Sequence, residues 1–389
     1  MALKATSRRQ LLGGLVGLTL TLSACTTAGS ASSGNASGSE APVPADVQAN
    51  LATNRAEPTF KAPGSPIDVT SLRGKTIFVI PQTNNPFIQS INDGMKTVAD
   101  KVGVHMILYP NQGQVSQWVQ GMNAAITAKV DAIVLTAAPD PRALQPQIAA
   151  AKAAGIPVIV THFYDESSAT PPECIGCSAG VAGIVAAPFN RAGKAAADWI
   201  IADSGQKAHV YVLGSKDVIP SDGVISLIQS EMKQYCTDCK VTVKNIPVAN
   251  WNTQVQGEVQ AALTSDPTIN YVYPLFDAMV GGAVTAIRTV GKAQQTKVVS
   301  YNGSPYALKF IQDKNVVAMD VGEDTIGIGH ADMDQVFRVL LGQKPVAQST
   351  PIRIWDATNI DKTGKPPVVG KGYGQATVNG FLSLWGLQK

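Results

Sequence analysis

The sequence predicts an α/β protein built from two doubly wound parallel-sheet, Rossmann-like domains. Three observations carry this. Strand-length apolar runs recur along most of the chain, segments with helical spacing separate them, and 389 residues are enough for two hydrophobic cores. A hydrophobic content of 45% and a mean hydropathy of +0.07 fit a globular body.

The N-terminus reads differently. Residues 11–22 are apolar but, at twelve residues, fall short of the roughly 20 that a spanning helix needs. They follow "TSRRQLL" and precede "LSAC". A basic start, a short apolar core and small residues at the cleavage point make an export signal over residues 1–24, and the adjacent Arg8 and Arg9 match its twin-arginine form. An ordinary basic leader for the general route is the alternative, and either route ends outside the cytoplasm. Cys25 after Leu-Ser-Ala resembles the bacterial lipobox, which implies a lipid-modified cysteine as the mature first residue. Loss of Lys4, Arg8 and Arg9, with no acid in that segment, takes the formal charge from +3 to 0. A neutral mature chain gives no electrostatic case for nucleic acid. Residues 25–66, rich in Ser, Gly, Ala, Pro and Thr, read as a lipid anchor and flexible tether.

Beyond Ile67 the pattern becomes regular. Apolar runs stand at "TIFVI" (76–80), "HMILY" (105–109), "DAIVLT" (131–136) and "PVIVTHF" (157–163). They resume at "HVYVLG" (209–214), "KVTVKNI" (240–246), "NYVYPLF" (270–276), "KVVSYN" (297–302) and "VVAMDV" (316–321). Ile88, Ile91, Met95, Val98 and Val102, then Val115, Trp118, Met122 and Ile126, have the spacing of amphipathic helices. Continuous β-branched strands alternating with such helices mean parallel sheets covered on both faces. Two sheets of about five strands suit the length better than one of nine or ten. The loop "ESSATPPECIGCSAG" (166–180) marks the end of the first run of units.

Four cysteines besides Cys25 come as "CIGC" (Cys174, Cys177) and "CTDC" (Cys236, Cys239). In an oxidising compartment two local disulfides are the plain reading. One shared zinc site is an alternative, although 58 residues between the pairs exceed a zinc ribbon, and a redox motif would want a CxxC opening a helix. Met279, Met319 and Met333 read as packing, and His105, His209 and His330 as structural or exposed; no metal is expected.

Ligands of doubly wound sheets sit beyond the carboxyl ends of the strands. The residues there are "PQTNNPF" (81–87, with Gln82), "HFYD" (162–165), "GSKD" (214–217), "ANWN" (249–252), "LFDAM" (275–279), "YNGSP" (301–305) and "DVGED" (320–324). Amides, acids and aromatics dominate, and Lys216 is the one cation among them. Such a set suits a neutral, hydroxyl-bearing ring, since aromatic faces stack on C–H surfaces and amides bond hydroxyls. Phosphate would call for Arg, Lys or a glycine-rich turn.

Over roughly residues 75–355 the chain resembles the ribose-binding type of periplasmic sugar-binding proteins, the class I solute-binding proteins of ABC importers. The resemblance rests on "NNPF" (84–87) followed by Asp93 and Gly94, on "NRAGKAAADWI" (190–200), "FDAMVGGAVTAI" (276–287), "VVSYNGSP" (298–305) and "GEDTIGIGHADMDQVF" (322–337). It implies the type I periplasmic-binding-protein fold, two lobes joined by a multi-strand hinge. It also implies that Asn85 bonds the ligand, that Phe87 packs on its ring, and that Trp251 faces Phe87 across the cleft. Pro86 would occupy the first helical turn. Asn84 and Asn85 serving only as helix caps is the alternative. By motif position Asn190 and Asn302 join the site, Asn302 where an aspartate is usual. His162 and Phe163 replace an Asp-Arg pair, Asp222 lies near a missing arginine, and Phe276 replaces an asparagine before Asp277. Ile88 stands for a second aromatic, and Asp320 completes the candidate set. Losing both arginines removes a bidentate grip on hydroxyls, so the pocket reads as more apolar than a simple pentose site.

These residues predict a monomeric lipoprotein without cofactor. It would capture a sugar, modified sugar or polyol between lobes 67–188 plus 322–350 and 189–321 plus 351–389, and hand it to an ABC permease. A ligand receptor for a membrane sensor and a binder of small aromatic or less polar solutes are alternatives. A secreted hydrolase would need Asp217, Asp222, Asp277 and Asp320 to converge as an acid pair, and the motifs of common hydrolases and P-loops are missing. A sugar-responsive repressor of this fold would need an N-terminal helix-turn-helix, where the export signal stands. A hinge strand is expected around 351–356; the tail past Asp361 has no counterpart in the resemblance.

Overall fold

The computed structural model describes residues 42–137, 139–168, 180–348 and 350–388. The signal, Cys25, Cys174 and Cys177 lie outside these residues.

The first half runs β1 (Thr76–Pro81), α2 (Pro86–Val102), β2 (His105–Leu108), α3 (Val115–Thr127), β3 (Ala132–Thr136), α4 (Gln145–Ala153), β4 (Val158–Asp165) and β5 (Val181–Ala187), preceded by α1 (Ala45–Arg55). The second runs α5 (Phe189–Asp203), β6 (His209–Gly214), α6 (Ser221–Tyr235), β7 (Lys240–Asn245), α7 (Trp251–Ser265), β8 (Tyr271–Pro274), α8 (Val280–Thr289), β9 (Lys297–Asn302), α9 (Pro305–Gln312) and β10 (Val317–Glu323). The chain closes with α10 (Thr325–Leu340), β11 (Ile352–Asp356) and α11 (Ala376–Leu384).

Two sheets result, ordered β2-β1-β3-β4-β5 and β11-β10-β9-β8-β6-β7. All pairings are parallel except β10 with β11. In both, strand order reverses after the first strand, between β1 and β3 and between β6 and β8, which makes a crevice at the strand ends.

Continuous apolar strands follow from helices on both faces. Ile77 and Val79 enter one core with Met95, Val98 and Phe337, while Phe78 and Ile80 enter another with Trp118 and Met122. In the second sheet Val210 and Val212 face the core of α5 and α6, and Tyr211 and Leu213 face that of α7 and α8. The edge strands β2 and β7 are largely exposed. β5, which the apolar runs did not reveal, is a glycine- and alanine-rich strand in which a side chain at Gly183 would press on Gln335.

The chain passes between the sheets repeatedly. β5 leads into α5, whose Ala192, Ala195 and Ala196 enter the second sheet's core; β10 leads into α10, whose Ala331, Met333 and Phe337 enter the first. The expected hinge strand is β11, antiparallel on β10.

Residues 42–66 depart from the expected tether. Val47, Leu51 and Asn54 form a buried stripe at helical spacing, and α1 packs by it on α5. Asn50 donates to Asp198 at 2.6 Å, and Arg55 pairs with Asp356 at 2.8 Å. Small polar residues around those few anchors hid the stripe in the composition. Beyond α1, Phe60 meets Phe381 edge-on with centroids 5.0 Å apart, and the Ile67 N–H donates to the Leu384 carbonyl. The unexplained tail goes to both sheets: Tyr373 enters the second sheet's core, and Phe381, Leu384 and Trp385 the first's.

Candidate functional site

β1 ends at Pro81, and α2 begins five residues later with Pro86 in its first turn, where a missing N–H breaks no helical bond. Asn85 caps it, its Oδ1 accepting the Ile88 N–H at 2.9 Å. This leaves Phe87 half-buried at the helix start, 5.4 Å between centroids from His162 in the second half of β4. His162 in turn lies 5.2 Å from Phe189, the first residue of α5. His162, within β4, has φ 51°, a left-handed backbone uncommon for a non-glycine residue. Burial depresses its pKa to about 3, so the imidazole is neutral.

Beneath it Glu323 Oε1 is 3.5 Å from His162 Nε2, and burial pushes the Glu323 carboxyl up to about 8. Two neutral groups therefore meet here at pH 7 rather than an ion pair. Asn302, at φ 130°, donates from Nδ2 to Glu323 Oε1 at 3.5 Å and accepts the Asp277 N–H at 3.4 Å.

The second sheet supplies the facing wall. Trp251, the first residue of α7, donates its indole N–H to Ser215 Oγ at 2.8 Å and the Ile246 carbonyl at 3.1 Å, which fixes the ring's orientation. It stacks on Phe276 with centroids 5.7 Å apart and planes 27° from parallel. Asp277 behind them is buried and accepts from Ser300 Oγ at 2.6 Å and the Ser304 N–H at 2.7 Å. Burial raises its pKa, and burial together with the neighbouring Asp277 charge raises that of Asp320 well above the carboxylate range. Asp320 also accepts the Gly303 N–H at 2.9 Å.

These strand ends enclose a cavity of about 480 Å³. Gln82, Asn85, Phe87, His162 and Phe163 line it from the first half, and Trp251, Phe276, Asp277 and Asn302 from the second. Three expected residues do not reach it. The backbone N–H and side-chain amide of Asn190 donate to Asp165 at 2.7 and 3.0 Å, tying the start of α5 to the end of β4. Asp222 is exposed in the first turn of α6, where a carboxylate suits the helix dipole. Asp320 lies behind Asp277. The lining adds Phe189, Ile219 and Tyr306. Phe189 and Tyr306 flank recognised stretches, "NRAGK" and "YNGSP", but nothing in the spacing said that the flanking ring would point inward. Asp217 is also there, accepting the Val248 N–H at 2.8 Å, while Asp222 is absent, so the four acids do not converge.

Cys236 and Cys239 form a disulfide at the end of α6. No helix among the described residues is long and apolar enough to cross a membrane.

Comparison with known proteins accords with this geometry. The family described as "Periplasmic binding protein domain" matches residues 76–344. The ribose import binding protein of Salmonella typhimurium is 27% identical over 271 residues, 69% of this chain and 86% of that protein. That of Escherichia coli K12 is 26% identical, over 72% of this chain and 90% of its own length. A D-allose-bound solute-binding protein from Actinobacillus succinogenes 130z has TM-score 0.65 at 22% identity, covering 74% of this chain and 99% of that one. An allitol-bound one from Agrobacterium vitis has TM-score 0.63 at 18% identity, covering 76% and 99%. The chain is thus a non-enzymatic, extracytoplasmic binding protein and belongs to the periplasmic binding protein family.

Proposed function

We propose that the chain is a monomeric solute-binding lipoprotein, anchored through Cys25, that captures a small neutral ring or polyol between its lobes and delivers it to an ABC importer. The observation that carries the reading is the cavity of about 480 Å³ at the strand ends, walled by aromatic rings from both sheets, with no Lys or Arg among its described lining side chains. That volume lies in the range of small-molecule sites. Relatives named for ribose import, and a further one named for D-apiose import at 24% identity, support a carbohydrate-like cargo and a permease partner. The twelve candidate residues are proposed in two groups: those lining the cavity touch the ligand, and Asn190, Asp222 and Asp320 act outside it. The two halves close on the ligand, and the importer responds because ligand shifts the open–closed equilibrium.

Thermal unfolding of the soluble form starting after Cys25, against sugars, polyols, nucleosides and small aromatics, tests this. Ligand at 100 times Kd adds about 2.7 kcal/mol. A shift with one neutral compound, lost in Trp251→Ala and Phe87→Ala, is the expected outcome. A panel in which neither the protein nor those variants respond to anything would remove the cleft from consideration.

A further inference from the structure

Resting on that reading, we propose that the cargo is a neutral ring with an aromatic, methyl-bearing or deoxygenated face, hydrogen-bonded along one edge only, rather than a ring carrying hydroxyls all round. Two features of the cavity lead there. Its walls are aromatic from both sides: Phe87 and Phe163 on one, Phe189, Trp251, Phe276 and Tyr306 on the other. And its polar groups are turned to one another. The Trp251 N–H is held by Ser215 and Ile246, and Asn85 Oδ1 by the helix it caps. The Tyr306 hydroxyl donates to the Asp277 carbonyl, and the Asp277 carboxylate accepts from Ser300 and Ser304. Asn302 bridges Asp277 and Glu323, and Glu323 and His162 are both uncharged at neutral pH. Uncommitted side-chain groups remain at Gln82, Asn84 and Asn252, at the Asn85 nitrogen and at one oxygen of Asp217, with Asn84, Asp217 and Asn252 exposed at the mouth.

A ligand hydroxyl pressed against Phe276 or Phe189 would find no partner and lose its water, which lowers affinity about tenfold or more. A methyl or aryl group at the same place gains by leaving water. The aromatic floor of the cavity thus selects against hydroxyls, and the groups left to bond them lie along one edge, from Gln82 and Asn85 to the mouth. Phe276 is the key to the selection, because it carries a ring, stacked on Trp251, at the strand end that leads into the buried Asp277.

Isothermal titration with matched pairs decides the question: L-fucose against L-galactose, and phenyl β-D-glucoside against D-glucose, with ribose and choline alongside. The deoxy or aryl member of at least one pair should bind ten or more times tighter than its parent, and Phe276→Asn should cut that ratio at least fivefold while melting as a folded protein. If ribose or a parent hexose binds as tightly as its less polar partner, and Phe87→Ala and Trp251→Ala still abolish binding, the selection is refuted while the site survives. Binding of choline alone would refute it in favour of a cationic cargo. If nothing binds and the alanine variants behave as wild type, both this inference and the cleft reading fall.

Discussion

Where α2 crosses α10 the backbones touch, and adding one methyl group there should loosen the helix that brings Asn85 and Phe87 to the cavity. A Cβ at Gly329 would lie 2.6 Å from the Ile91 carbonyl oxygen, 2.6 Å from the Met95 nitrogen and 2.8 Å from the Gly94 carbonyl carbon. All three are main-chain atoms, so no side chain can rotate away. Ordinary contact begins at 3.4 Å, and Gly329→Ala therefore forces one helix back by about 0.8 Å. Overpacking of this kind costs about 1–3 kcal/mol, towards the upper end where backbone must move, and alanine's better helix propensity returns about 1 kcal/mol. A net loss of about 2 kcal/mol should appear as a lower urea midpoint with unchanged slope, together with weakened ligand binding. Gly257→Ala is the control: nothing lies within 4 Å of a Cβ there, in the exposed middle of α7, so this change should stabilise by up to about 1 kcal/mol. Equal, positive effects of both substitutions would mean that the helices do not cross this closely.

Three other outcomes follow from buried charge and from the ends of the chain. Glu323 holds its proton to about pH 8 when folded but releases it near 4.5 when unfolded, so wild type loses stability as pH rises from about 4.5 to about 8. Between those limits the stability of Glu323→Gln relative to wild type should rise by as much as about 5 kcal/mol, and a flat difference across calorimetric scans would contradict the raised pKa. Deleting residues 42–66 exposes the sites of the buried Val47 and Leu51 and strips Phe60 from Phe381, with about 1.5–3 kcal/mol at stake per side chain; a form beginning at residue 67 should melt well below one beginning at 42. Arg338→Met leaves Asp334 buried without its 2.8 Å partner, which costs about 3–5 kcal/mol, and Asp334→Asn in the same chain should recover part of it in denaturant titrations.

The sheets were legible because burial on both faces makes the inner strands such as β1, β3 and β6 apolar throughout, so those runs need no periodicity to be seen. β5 escaped because Gly183 and three alanines dilute it, for a reason visible only in space, the approach of Gln335. α1 escaped for the opposite reason: one stripe of three residues suffices to dock a short helix, and its other positions are as small and polar as a tether's. Phe87 and Trp251 could be found since each follows a strand end at a helix start, where topology itself fixes the direction. Asn190 occupies an equivalent position, but Asp165 and Ser167 lie within reach and take its amide. Competition for a polar side chain by neighbours distant in sequence has no signature in spacing.

Asn85 caps α2, and the cap leaves room for the ligand-binding role proposed for it. The oxygen of the amide caps α2, which leaves the two N–H donors of its nitrogen uncommitted at the cavity wall. A bond to the helix end fixes the plane of the amide before any ligand arrives, so less rotamer entropy is lost on binding than for a free side chain. The same holds for Trp251, whose indole N–H is bound inward so that its face is presented outward. In both residues the internal hydrogen bond does not compete with recognition. It sets the geometry that recognition requires, and for that reason a capping residue followed by an aromatic ring signals more than either residue alone.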